Sequence, residues 1–219
     1  MFYFTDLLEK LDIAPSSVRL LRHQTTASNG RTPYVLWRDN RPAFENYQSV
    51  QACRDRAALD APFWAAFVTP STGGSLFAGM YQVSLADSIS PNWVDPLSEE
   101  PITKEMHYSL EAYDTTLSHY LSEYIGRLWI ELGAGTRTWI QRPDNQYNPI
   151  AKIARAFRED AFPGFAHFIA KVSDVSTLPA SWVAAPQSVR GVYVLSSAKT
   201  REQYIGSATG EGGFVDHTR

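Results

Sequence analysis

The sequence has one cysteine, Cys53, which excludes an internal disulfide and argues against a thiolate zinc site. It has no run of the roughly eighteen apolar residues that a membrane-spanning helix needs, so no membrane partner is expected. Its first stretch, MFYFTDLLEKLDIAP, lacks the basic start and long apolar core of a secretory leader, and the cytoplasm is the expected compartment. It also lacks positive charge overall: a formal net charge of −3 argues against a generally basic polymer binder. GxGxxG, Walker A and GxSxG motifs are absent, as are internal repeats and low-complexity tracts. What is present is a globular composition, 44% hydrophobic and 13% aromatic, in a chain of 219 residues. That length suits one large domain or two modest ones.

The charge is unevenly spread. Residues 15–41 carry Arg19, Arg22, Arg31, Arg38 and Arg41 against the single acid Asp39, whereas residues 95–124 carry seven acids against one lysine. A phosphate-facing surface needs only local positive potential, and the first segment is able to supply it. The plainer alternative is a solvated surface with ordinary ion pairs.

TDLLEKLDI predicts a helix with Thr5 as its cap and Leu7, Leu8 and Leu11 on one side. SVRLLRHQ predicts a short strand or extended arm. YVLWRDN predicts a helix, interrupted at Pro42 and resumed through AFENYQSVQACRDRAALDA. FWAAFVT and SLFAGMYQVSL, separated by PSTGG, predict a β-hairpin. SLEAYDTTLSHYLSEYIG is expected to hold a short helix. RLWIELG and TRTWIQRP, around AGT, are expected to form a second hairpin, and PIAKIAR a further short strand or turn. ASWVAAPQSV reads as a link to a third hairpin, GVYVLSS with EQYIGSA. The expected fold is α+β: N-terminal helices and a small curved β-barrel, PUA-like by analogy, followed by that last hairpin. The expected division is 1–180 and 181–219.

The last hairpin places Gly191-Val192-Tyr193 ten residues before Tyr204-Ile205-Gly206, followed by SATGEGGF. This resembles the GIY-YIG nuclease family, whose two antiparallel strands carry those tripeptides. The segments LLRHQ, GRTPYVLWRDNRPAFENYQSVQ, FAGMYQV and RLWIELGAGTRTWIQ are similar to the region that one bacterial group of these proteins carries ahead of the nuclease domain. The resemblance implies a magnesium-dependent endonuclease, with Tyr193 nearest the attacking water, Tyr204 its partner, and Gly206 allowing close approach. A phenol on a twisted ribbon is chemically suited to positioning or deprotonating water. The family continues with a helix bearing a catalytic arginine and, later, a metal-holding glutamate. Here GGF is followed by VDHTR alone, so the polypeptide is expected to be catalytically incomplete, with no cofactor or metal site of its own.

The region ahead of the hairpin is then expected to recognise DNA, with a modified duplex as the specific target and restriction of foreign DNA as the setting; RNA remains open. Arg19, Arg22, His23, Gln24 and Arg31 combine charge and hydrogen-bonding groups for phosphate and groove contacts. Their alternative role is a surface arm packed by its leucines. Trp64, Tyr81, Trp93, Trp129 and Trp139 are candidate walls for an extruded base, and at least three are expected to be core. Trp93, in the turn-rich SPNWVDP, is the expected exposed member, at the rim of a concave site between the first two hairpins. The remaining histidines, His107, His119, His167 and His217, are isolated from other ligand types and suggest no metal site. Two rival functions stand beside this one: a stand-alone nucleic-acid or modified-base binding protein, and a protein-interaction module.

Overall fold

The computed structural model describes residues 1–133, 138–159, 161–166, 168–170, 172, 175, 178–187, 189–197 and 199–208. The AGT turn, His167, His217 and the GEGGF continuation lie outside the described residues. The chain divides into two compact units, 1–158 and 159–219.

In the first unit, α1 (Phe4–Lys10) buries Phe4, Leu7 and Leu8 at helical spacing. Thr5 lies inside this helix. The cap position is Tyr3, whose N–H donates to Asp6 Oδ2 at 2.8 Å; a carboxylate in the first turn also suits the helix dipole. A 3-10 turn at Pro15–Ser17 leads into β1 (Val18–His23). Then come α2 (Pro33–Asp39) and α3 (Arg41–Gln48), each with proline in the first turn, where no N–H is required. Thr32 Oγ1 accepts from the Val35 N–H at 3.4 Å, and Asn40 Oδ1 from the Ala43 N–H at 3.1 Å.

The long resumed helix is not formed. After α3 the chain makes β2 (Val50–Ala52), a 3-10 turn at Cys53–Asp55 and the single-turn α4 (Arg56–Leu59). Pairing of Val50–Ala52 with a distant strand overrides the local helical pattern. The expected hairpin is present as β3 (Phe63–Val68) and β4 (Ser75–Leu85). After α5 (Lys104–His107), Leu110–Leu117 is the strand β5 where a helix was expected. Its Tyr113, Thr115 and Thr116 suit a half-exposed strand, and all three pair with β4. A 3-10 turn at Ser122–Tyr124 follows, then β6 (Leu128–Ile130), β7 (Ile140–Gln141) and β8 (Ile150–Ile153). The expected second hairpin is also absent, because β6 pairs with β4 and β8 while β7 pairs with β1.

The sheet runs β2-β5-β4-β3-β1-β7, with β6 linking β4 to β8. β1 is parallel to β3 and the other pairings are antiparallel. One part of β4 (81–85) pairs with β5 and another (75–76) with β6, so the sheet divides along this strand and curls into a half-barrel. A bulge helps it bend: Ala66 pairs with Gly79 but Phe67 with Phe77, leaving Ala78 extra. Gly79 sits at φ +151°, and a Cβ there would lie 2.8 Å from Leu117 Cδ1.

Both faces of β3 are covered, which explains its unbroken apolar run. Ala65 and Phe67 join a core with Phe4, Leu8, Leu20 and Phe77 beneath α1, while Ala66 and Val68 join Tyr34, Trp37, Phe44 and Tyr81 beneath α2 and α3. Phe4 meets Phe67 edge-on at 5.6 Å.

In the second unit, Ala180–Gln187 forms the helix α6 where a link was expected. Phe162, Phe165, Phe168 and Trp182 gather with ring separations of 5.0–6.4 Å. β9 (Gly191–Ser196) and β10 (Gln203–Ala208) make a two-stranded antiparallel hairpin. Among the described residues, no helix is long and apolar enough to cross a membrane.

Candidate functional site

The arginines of residues 15–41 do not form one open surface. Arg19 is buried, and its guanidinium donates to the carbonyls of Ala58 (3.0 Å), Ser16 (2.9 Å), Val18 (3.1 Å) and Asp60 (2.5 Å). It fastens β1 to the end of α4 and to the 3-10 turn that precedes the strand. Arg31 pairs with Glu99 and reaches the Pro96 carbonyl at 3.4 Å. Arg38 bonds Asp39 through two nitrogens at 2.6 and 2.7 Å. Arg41 lies 4.8 Å over the Trp37 ring and donates to the Ala78 carbonyl at 3.1 Å. The acid-rich segment thus supplies partners for arginines: Glu99 holds Arg31, and Glu111 holds Arg56 at 3.0 Å.

Arg22 is placed differently. Its NH1 donates to the Gly133 carbonyl at 3.1 Å, and its side chain lines an open depression of about 660 Å³. His23 and Gln24 line it too, with Tyr47 from α3, Gln51 from β2, Arg54 and Asp55 from the turn that follows, and Trp139. The β-pairing builds this wall. Leu20 faces Gln141 and Leu21 faces Ile140, and the next bond, from the Arg22 N–H to the Trp139 carbonyl at 2.7 Å, draws Trp139 alongside the end of β1. Arg54 is an open cation, with its side chain 87% exposed and a loose 4.0 Å contact to Asp55.

Trp93 and Arg31 are not in that lining. The Trp93 indole N–H donates to Asn46 Oδ1 on α3 at 2.9 Å, and the ring is half-buried. The aromatic wall is Trp139 instead, a residue just ahead of β7 whose placement depends on long-range pairing with β1. Of the other aromatics, Trp64 and Tyr81 are fully buried, and Trp129 is half-buried with Lys152 Nζ 4.8 Å from its ring centre.

His23 is 3% exposed and enclosed by aromatic rings: Phe44 at 5.4 Å and Tyr47 at 5.6 Å, both edge-on, and Trp139 at 6.2 Å. Burial holds its pKa down to about 4, so the imidazole is neutral at pH 7. Gln48 is near enough to favour the proton, but neither of its amide atoms, nor His23 Nε2, meets a partner in hydrogen-bonding geometry among the described residues. Burial, aided by the charge of Asp95, pushes the Tyr47 phenol up, so it too stays neutral.

In the second unit the hairpin register sets Tyr193 opposite Gly206 and Tyr204 opposite Leu195. Cross-strand and diagonal neighbours share a face, so both tyrosines project on the same side, with ring centres 6.4 Å apart. The Tyr193 ring lies across Gly206, and a Cβ at 206 would collide with its Cζ and Cε2. Only glycine permits this approach. Val192, Val194 and Ile205, on the opposite face, are 74%, 56% and 68% exposed. Among the described residues there is no group of three or more His, Cys, Asp or Glu side chains able to hold the magnesium that the family resemblance implies, so no step is assigned to a metal.

Comparison with known proteins finds no matching family model, no matching curated protein and no matching solved structure.

Proposed function

We propose that the chain is the DNA-recognition part of a GIY-YIG-type endonuclease, acting in the cytoplasm against foreign or modified duplexes. The half-barrel unit is the recognition module, PUA-like in architecture, and β9–β10 is the strand pair of the nuclease. The observation that carries this reading is the hairpin register: Tyr193 across Gly206, with Tyr204 beside it on the same face. A phenol held against a glycine is limited in direction and, half-buried, is still partly accessible, as positioning a water at a phosphodiester requires. Tyr204, 62% exposed, is open to the same solvent. In the recognition module, the support is the depression with Arg22 and Arg54 at its edge and aromatic walls inside.

Binding to a short random-sequence duplex, measured over a range of salt concentrations, tests the proposal. Affinity should fall with salt along a log–log slope of about −0.9 per phosphate contact. Absence of salt-sensitive binding even at low ionic strength would overturn it.

A further inference from the structure

The depression beside Trp139 is lined by one deeply buried polar side chain, His23. His23 lines it, is 3% exposed, and has no hydrogen-bond partner at Nε2 among the described residues. Next to it Gln48 is fully buried and near enough to favour a proton on His23, though neither amide atom meets a partner in hydrogen-bonding geometry among the described residues. Leaving a buried donor or acceptor unsatisfied is unfavourable, and such groups in a native fold call for an explanation. Here His23 lines a space whose walls are aromatic, whose rim carries two arginines, and whose volume, about 660 Å³, falls within the roughly 300–1,000 Å³ of small-ligand sites.

We propose that this depression receives a single nucleobase swung out of a DNA duplex, stacked against Trp139 and Tyr47 with its hydrogen-bonding edge toward His23. Arg22 and Arg54 at the rim then lie near the flanking phosphates. The inference rests on the reading of the chain as a DNA-binding protein and specifies what that protein holds. Each part of the site selects against other ligands. An apolar ligand would leave His23 Nε2 unsatisfied. A compact anion would make no use of the two rings. A planar heteroaromatic group with donors and acceptors on one edge, attached to a phosphate chain, uses all three regions. His23 is a suitable reader because a neutral imidazole offers one donor and one acceptor, so it distinguishes edges by hydrogen-bond pattern rather than by charge. The surrounding Phe44, Tyr47 and Trp139 rings fix its orientation.

The test compares two labelled duplexes of one sequence by fluorescence anisotropy. One is fully paired; in the other, a central base faces an abasic site and is cheaper to extrude. Wild-type protein should bind the second about ten-fold or more tightly, since part of the extrusion cost is already met. Trp139→Ala should lose about five-fold to a hundred-fold in affinity for it, the size of one base–aromatic stack, and lose the preference. Arg54→Ala should weaken binding to both duplexes equally. The wild-type measurement is decisive without any variant: salt-sensitive binding with equal affinity for the two duplexes overturns the pocket while leaving DNA recognition intact. A preference that survives in folded Trp139→Ala overturns it as well. Failure of both duplexes to bind at low salt overturns the broader reading instead.

Discussion

His23 provides a stability switch whose size follows from the structure. Its folded pKa of about 4 lies below the ordinary value of 6.5, because burial disfavours the charged form. Below pH 6.5 the unfolded chain takes up a proton that the folded chain refuses, so stability falls as pH is lowered and levels off only near the folded pKa. The full penalty, for two and a half units at 1.36 kcal/mol each, is about 3 kcal/mol, and between pH 7 and pH 5 it is about 2 kcal/mol. Carboxylates titrate in part of the same window, so the perturbation is His23→Gln, which removes this titration alone. Urea unfolding followed by tryptophan fluorescence at pH 7 and pH 5 gives the readout. The variant will be less stable overall, having lost the ring contacts. Its loss between the two pH values should nevertheless be smaller than the wild-type loss by about 2 kcal/mol, a relative midpoint shift of about 1 M urea for a slope of about 2 kcal/mol per M. Parallel losses in the two proteins would refute the argument, since they would mean that the folded chain accepts a proton on His23.

Other consequences are open to direct measurement. Arg54→Ala, at an exposed rim position, should flatten the log–log salt dependence of DNA binding by about 0.9 with no change in melting temperature; an unchanged slope removes Arg54 from the phosphate contacts. Arg19→Met should cost about 3 kcal/mol or more, because several carbonyls lose a charged donor, yet leave the salt slope of the folded protein unaltered. Gly79→Ala should lower stability by about 1–3 kcal/mol through backbone strain and contact with Leu117, and a neutral result in thermal melts would show that the bulge relaxes freely. In proton NMR, a Gly206 Hα resonance should be displaced upfield by the Tyr193 ring and return toward its ordinary position in Tyr193→Leu.

The parts of the fold that were legible in the sequence are those governed by near neighbours. The β3–β4 hairpin announces itself through two apolar runs and a glycine turn, and α2 and α3 through their prolines and capping side chains. β9 and β10 are legible for the same reason. What was not legible depends on distant partners. β5 has an ambiguous local pattern and becomes a strand because β4 and β2 flank it. β7 has two residues and exists only through β1. The candidate site suffers similarly. The arginines of residues 15–41 are alike as letters, but burial takes Arg19, Glu99 takes Arg31, Asp39 takes Arg38 and the Trp37 ring with the Ala78 carbonyl takes Arg41, leaving Arg22 at the depression. His23 and Gln24 were legible as neighbours of Arg22, whereas Tyr47, Gln51, Arg54 and Trp139 join them only after the sheet has closed.

That closure gives the depression an unusual dependence on the history of the chain. Arg22 is bonded to a carbonyl 111 residues further along, and its own N–H is bonded to Trp139, which supplies a wall. Residues 22–55 carry the rest of the lining, and the Trp139 wall joins them only after a long and entropically slow loop closure. A ligand held between those sides would bridge β1 and the segment just ahead of β7, and its binding energy would add to the stability of that closure.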